Sequence, residues 1–347
     1  MLQQTTVVAV IPYFERFIAR FPTLVELAQG SEEDVLRHWE GLGYYSRGRN
    51  IHKAAKLLIA EHGGEFPTTV DELVRLPGIG RYTAGAIASF AFDTRAPIVE
   101  ANTLRLYCRL IGYRGDPRSS AGQQILWDFA ERILPAKGTG EFNQALMELG
   151  ATVCTPNAPT CDRCPAETFC AARAGNLQNE IPRPAVRVPI TPVTEVAVVV
   201  QEGSRFLLRR RAAGERWAGL WDFIRFPLET AQPPTKPLGK RKSLRPLTGQ
   251  QSLLNDWSAH DLAHIQDQVR EVTGLEVDVG PLLSTIRHTV TRFRITLLCC
   301  TARKAGGALS VEADEMRWIG LDEVAGYPLS MTGRKIARLL TELKSTP

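Results

Sequence analysis

No stretch of the 347-residue sequence is apolar for long enough to cross a bilayer, which excludes a helical membrane-spanning reading. Nor does it carry a secretory signal, so its seven cysteines are expected in a reducing compartment, as ligands or buried thiols and not as disulfides. An excess of one charge is also missing: 42 Lys and Arg against 37 Asp and Glu leave +5, which suits a polyanionic partner without demanding one. The length exceeds what one typical compact core accommodates, and 44% hydrophobic residues support globular packing, so two domains are expected.

What the sequence does hold is a group of four cysteines. Cys154, Cys161, Cys164 and Cys170 are separated by six, two and five residues. Four thiolates this close can wrap one metal centre, and the spacing reads as a [4Fe-4S] cluster loop. A structural zinc site is the alternative, but it usually shows two compact CxxC-like pairs, and only Cys161 and Cys164 form one. Cys108, Cys299 and Cys300 are expected to be buried apolar residues.

Helical periodicity runs from Leu2 to about Ala172: Val7, Val10 and Ile11, then Phe14 and Phe17, Val35 to Trp39, and Leu104 to Leu110. Ser31 ahead of Glu32, Glu33 and Asp34 marks a helix start, and Gly63-Gly64 a break. Pro182, Pro184, Pro189 and Pro192 then interrupt regular structure, so residues 173–193 read as a stiff linker between an all-helical domain, 1–172, and a second domain, 194–347. The second domain looks α+β, with a hairpin about Gly203 (Val196 to Val200, Arg205 to Leu208) and a β-rich run from Phe293 to Cys300. Residues 230–251, with Lys240, Arg241, Lys242 and Arg245, are expected to form a flexible, solvated loop.

Leu76-Pro77-Gly78-Ile79-Gly80 followed by the small-residue helix Thr83 to Phe90 has the grammar of a helix-hairpin-helix turn. Gly78 and Gly80 let backbone N–H groups approach a phosphate closely, so the turn is expected to hold the DNA backbone without reading bases.

Together with Met1-Leu2-Gln3-Gln4-Thr5 and Gly41-Leu42-Gly43-Tyr44-Tyr45, this turn and the cysteine spacing resemble the MutY-type adenine DNA glycosylases over nearly the whole chain. The resemblance implies a six-helix glycosylase core with its cluster domain and a Nudix-like C-terminal domain. It also implies removal of adenine paired with 8-oxoguanine in double-stranded DNA, by a monomer acting on nucleoid DNA in a bacterial cytoplasm. Related endonuclease III-type enzymes carry a nucleophilic Lys just after the hairpin's Gly-Arg; this chain has Tyr82, which cannot form a Schiff base, favours hydrolysis by water, and is expected with Gly78 and Gly80 among the DNA-binding residues. Gln4 and Tyr44 match residues that fill and wedge the duplex as adenine leaves the stack, with Gln3 beside them.

Cleavage through an oxocarbenium-like state needs an acid for the departing base and a carboxylate for the sugar cation. The family's acid is a Glu two residues ahead of the position matched by Met1, so a truncated N-terminal helix and a late start are expected, a variant without glycosylase chemistry being the alternative. The second carboxylate is an Asp in the family and Glu100 here, with Asn102 as its orienting neighbour. In the second domain, Gln268 to Leu275 resembles a decayed Nudix box in which only Glu271 keeps an acidic position, so damage reading is expected there and not diphosphate hydrolysis. Where the family contacts 8-oxoguanine with Phe-Ser-His, this chain has Val290, Thr291 and Arg292. The competing function is a catalytically impaired lesion-binding protein.

Overall fold

The computed structural model describes residues 1–184, 189–228, 257–310 and 315–345; the basic stretch expected as a loop at 230–251 lies outside them. Two compact units emerge, Met1–Arg49 with Val188–Pro347, and Asn50–Arg187.

The unit Asn50–Arg187 is helical. Side chains open its helices as the capping pattern predicts: Thr69 accepts from Glu72 N ahead of Val70–Leu73, and Ser119 from Gly122 N ahead of Ser120–Ile133. Small residues let three helices approach closely. A Cβ on Gly85 would sit 2.3 Å from Pro97 O, one on Gly140 2.4 Å from Ser89 O, and one on Gly150 2.9 Å from Asn102. Leu106, Tyr107, Cys108, Leu126 and Ala130 pack into the core between the helices Ala101–Leu110 and Ser120–Ile133. Asp93 accepts backbone N–H groups from Gly138 (3.1 Å) and Gly140 (3.0 Å), tying the end of helix Arg81–Phe92 to the start of Thr139–Thr152.

The other unit is built on a seven-stranded mixed sheet: β1 (Thr191–Glu202), β2 (Arg205–Arg210), β3 (Trp221–Asp222), β4 (Ile224–Pro227), β5 (Leu275–Val290), β6 (Phe293–Gly307) and β7 (Met316–Ile319). The order is β3-β2-β1-β6-β5, with β4 also on β1 and β7 on β2; β1 and β6 are parallel. The expected hairpin at Gly203 is present, with Glu202 opposite Arg205. Because β1 is covered on both faces, it reads as an unbroken apolar run: Val196, Val198 and Val200 meet Ile265 and Val269 of helix Ala259–Thr273, while Ala197 and Val199 share a core with Ile336, Ala337 and Leu340 of helix Met331–Ser345. Cys299 and Cys300 fall on opposite cores and are fully buried, as is Cys108 in the helical unit.

Pro192, assigned from composition to the linker, lies inside β1 opposite Arg294. It is tolerated because β4 joins β1 only from Glu195 onward, so Pro192 sits where one flank of the strand needs no N–H donor. The helices Val7–Arg20, Leu24–Gln29 and Glu32–Trp39 belong to this unit, and polar anchors hold them. Arg334 forks onto Glu40 at 2.8 and 2.7 Å, Leu329 N donates to the same carboxylate, and Trp221 Nε1 donates to Glu33 at 2.8 Å.

Candidate functional site

The turn Leu76 to Gly80 is anchored from below and open above. Leu73 and Leu76 are buried, whereas Gly78 and Gly80 are exposed. Gly78 adopts φ 80°, and a Cβ there would meet Asn50 Cβ at 2.6 Å, so both backbone hand and space call for glycine. Gly80 is the N-cap of helix Arg81–Phe92 and offers no side chain to cap it, so the first N–H groups of the helix have no side-chain acceptor there. Arg81 stacks its guanidinium 3.9 Å from the Trp127 ring centroid beside it.

Tyr82 does not share that exposed surface. It is half-buried, its hydroxyl faces Met147 Sδ at 3.9 Å, and burial followed by the nearby charge of Glu100 raises its pKa. Glu100 is the N-cap of helix Ala101–Leu110: its Oε1 accepts from Asn102 N (2.7 Å) and Thr103 N (2.9 Å), and Thr103 Oγ1 accepts in return from Glu100 N (2.9 Å). The helix start favours negative charge at that position. Asn102 orients Glu100 through its backbone amide; its side-chain oxygen instead accepts from Arg105 Nη2 at 2.9 Å. Arg105 continues to Gly150 O and Cys154 O, linking the carboxylate's helix to the cysteine segment.

Cys154, Cys161, Cys164 and Cys170 line one cavity together with Leu106, Arg109 and Arg173. Arg109 is buried and points its Nη1 at Cys154 Sγ (3.2 Å), while its carbonyl accepts from Cys170 Sγ (3.5 Å). Burial raises the thiol pKa values of Cys161 and Cys164, with the neighbouring cysteines acting in the same direction. Among the described residues no group of three His, Cys, Asp or Glu is arranged to hold a single metal ion.

In the sheet-bearing unit, Gln3, Gln4 and Tyr44 are brought together. Gln4 (φ 57°) and Tyr44 (φ 47°) both adopt left-handed backbone, which costs non-glycine residues about 1–2 kcal/mol each. Tyr44 is 58% exposed, while Tyr45 is buried, and burial pushes its hydroxyl pKa up to about 12. Of the tyrosine pair, therefore, only Tyr44 is available to a partner. Gly41 at φ 95° completes the loop beneath Tyr13, whose hydroxyl would be 2.6 Å from an added Cβ. Thr291 and Arg292 form the exposed two-residue turn between β5 and β6, set by the pairing of Val290 with Phe293, and Arg292 lies over the Phe293 ring. Gln268 and Glu271 hydrogen-bond to each other at 2.9 Å on helix Ala259–Thr273.

Residues 1–132 match the model of the HhH-GPD superfamily of base excision DNA repair proteins, and residues 195–339 that of the NUDIX domain. An HhH-GPD domain is thus followed by a NUDIX domain in this chain. Several relatives that the chain matches are adenine DNA glycosylases. That of Rattus norvegicus is 49% identical over 173 residues, 50% of this chain and 34% of that protein. The Homo sapiens relative is 47% identical over 182 residues, 52% of this chain and 33% of that protein. The Buchnera aphidicola (subsp. Schizaphis graminum) relative is 39% identical over 226 residues, 65% of each. The match thus spans about a third of the length of the mammalian relatives.

Sequence reasoning missed Arg47, which lies in the first turn of helix Tyr45–His62 and touches both the Gln3–Gln4 segment and the Gly43–Tyr44 loop. An arginine two residues beyond a Gly-Tyr-Tyr corner carries no distinguishing mark in the sequence; only the fold brings residues 42 to 46 positions away to it.

Proposed function

We propose that this chain is a monofunctional adenine DNA glycosylase. It would hydrolyse the N-glycosidic bond of adenine opposite 8-oxoguanine, acting as a monomer on double-stranded DNA in the bacterial nucleoid. The observation that carries the reading is a phenol, Tyr82, at the position where a lyase needs an amine, in the same helical unit as a carboxylate, Glu100, pre-oriented by a helix start. Tyr82 holds its proton and offers no Schiff-base nitrogen, which supports water as the nucleophile. Glu100 would set its negative charge against the sugar cation as the base departs, with Asn102 N and Thr103 N fixing its direction at no cost during the reaction. The exposed start of helix Arg81–Phe92, with Gly78 and Gly80, would grip a phosphate. Gln3, Gln4 and Tyr44 would fill the stack, and Thr291 and Arg292 would meet the 8-oxoguanine strand. Functionally, the division would fall at 173–193, with the glycosylase portion before it and the lesion-reading portion after it.

The chemistry of the donor set supports a [4Fe-4S] cluster on Cys154, Cys161, Cys164 and Cys170. Four cysteines lining one cavity match the all-thiolate donor set that such a cluster takes. When bound, it would supply a covalent brace for the segment that Arg105 and Arg109 already tie to helix Ala101–Leu110.

A binding-only role is favoured by one observation, the commitment of Glu100 Oε1 to the helix cap. Incubation with duplexes carrying adenine opposite 8-oxoguanine or opposite cytosine separates the two. Alkali-labile abasic sites in the first duplex alone, produced by a version carrying a Glu two residues ahead of Met1, are the expected result. Selective binding without base release would select the second role, and a borohydride-trapped adduct would refute the monofunctional assignment.

A further inference from the structure

Gln4 and Tyr44 present their side chains to solvent from left-handed backbone, a conformation that non-glycine residues keep only where the surroundings enforce it. Arg47 supplies that enforcement for both. Its Nη1 donates to Met1 O (2.8 Å) and to Gln3 O, so the carbonyl immediately before Gln4 is pinned. Its Nη2 donates to Thr5 Oγ1 (3.3 Å), Leu42 O (3.5 Å) and Gly43 O (3.3 Å), so the residue before Tyr44 is pinned by the same planar group. The guanidinium also lies 5.3 Å from the Tyr44 ring centroid and 5.6 Å from that of buried Trp39. Its Nε is buried with no partner, so Arg47 keeps an orphaned donor in exchange for the reach of its two Nη atoms. A lysine at this position has the charge but not the fork, since its three donors radiate from one nitrogen on a flexible stem.

We propose that Arg47 is the positioning residue that locks Gln4 and Tyr44 into one preformed wedge, so that both side chains enter the duplex together as the target base is extruded. The inference rests on the reading of Gln4 and Tyr44 as wedge residues. Arg47 itself touches no base; it acts through the two carbonyls that set their backbone.

The test uses the full chain and a duplex with 2-aminopurine in place of adenine opposite 8-oxoguanine, whose fluorescence rises on unstacking. Tyr44→Ala and Arg47→Lys are each expected to cut the rise about tenfold, and the double variant to fall no further. Affinity for undamaged duplex, governed by phosphate contacts, is expected to stay within about twofold in Arg47→Lys because the charge is kept. If Tyr44→Ala loses the rise while Arg47→Lys keeps it, or if the two losses multiply, the positioning role is refuted and the wedge reading stands. If Tyr44→Ala and Gln4→Ala both keep the full rise, the wedge reading itself fails and the inference with it. Should Arg47→Lys not fold, Thr5→Val removes a single acceptor from the array; a drop of about threefold is expected, and an unchanged rise would overturn the proposal.

Discussion

Replacing Glu100 by Gln separates its two jobs, capping a helix and carrying charge. The cap uses Oε1 alone, which accepts from Asn102 N at 2.7 Å and Thr103 N at 2.9 Å. A Gln oxygen accepts the same two bonds, so Glu100→Gln should lose only the attraction between charge and helix start, about 0.3–1 kcal/mol. Glu100→Ala removes the acceptor altogether and should cost about 1–2 kcal/mol. Catalysis weighs the two variants differently. A carboxylate about 4 Å from a developing sugar cation, at an effective dielectric of about 20, contributes about 4 kcal/mol, or roughly a thousandfold in rate. Both variants should therefore lose about three orders of magnitude in single-turnover adenine release, while their urea midpoints differ. Glu100→Asp tests reach: the carboxylate shortens by one methylene, and a displacement of about an ångström is worth on the order of a hundredfold in either direction. Glu100→Gln releasing adenine within about tenfold of the parent rate would sink the assignment of Glu100 as the cation-stabilising group.

Other consequences are equally direct. Arg225 is buried, paired with Glu195 (2.5 Å) and bonded to Thr332 (3.0 Å), so Arg225→Met strips one partner from a carboxylate that is 2% exposed; a loss of about 3 kcal/mol in urea unfolding is expected, and no loss would mean the pair is dispensable. His288 has its pKa lowered below 6.5 by burial and then by Arg225, with Arg216 and Lys335 adding to the shift and Glu195 opposing it. The unfolded imidazole then takes up its proton first, so stability present above pH 6.5 is lost as pH falls from there through the lower folded value; His288→Gln should flatten that part of a melting-temperature profile. Gly85→Ala would drive a Cβ to 2.3 Å from Pro97 O, a backbone atom that cannot swing aside, and should cost about 1–3 kcal/mol by thermal unfolding.

Much of the fold was legible because it rests on local patterning. Ser31 caps the helix at Glu32, with its side chain accepting from Asp34 N; Gly63 and Gly64 break a helix at φ 61° and 88°; and Gly203 turns the hairpin. These outcomes depend on backbone conformations that a few neighbouring residues select by themselves. Pro192 misled the reading for the same reason. Proline discourages a helix or a central strand locally, but whether a strand flank needs its N–H depends on where a distant neighbour ends.

Residue types and spacing determined the chemical inventory of this protein, four clustered thiols, a glycine-hinged turn before a helix and a carboxylate at a helix start, and the family resemblance added a tyrosine where relatives carry a nucleophilic lysine. Only the tertiary structure decided which groups act on one another. It buried Tyr45 and exposed Tyr44, turned the Tyr82 hydroxyl to Met147, gave the side chain of Asn102 to Arg105, and drew residues 1, 3, 5, 42 and 43 onto the single guanidinium of Arg47. The reason is physical. Capping and turn preferences are carried by residues adjacent in the chain, whereas burial, Coulomb interaction and a forked hydrogen-bond array depend on distances through space that chain closure alone creates.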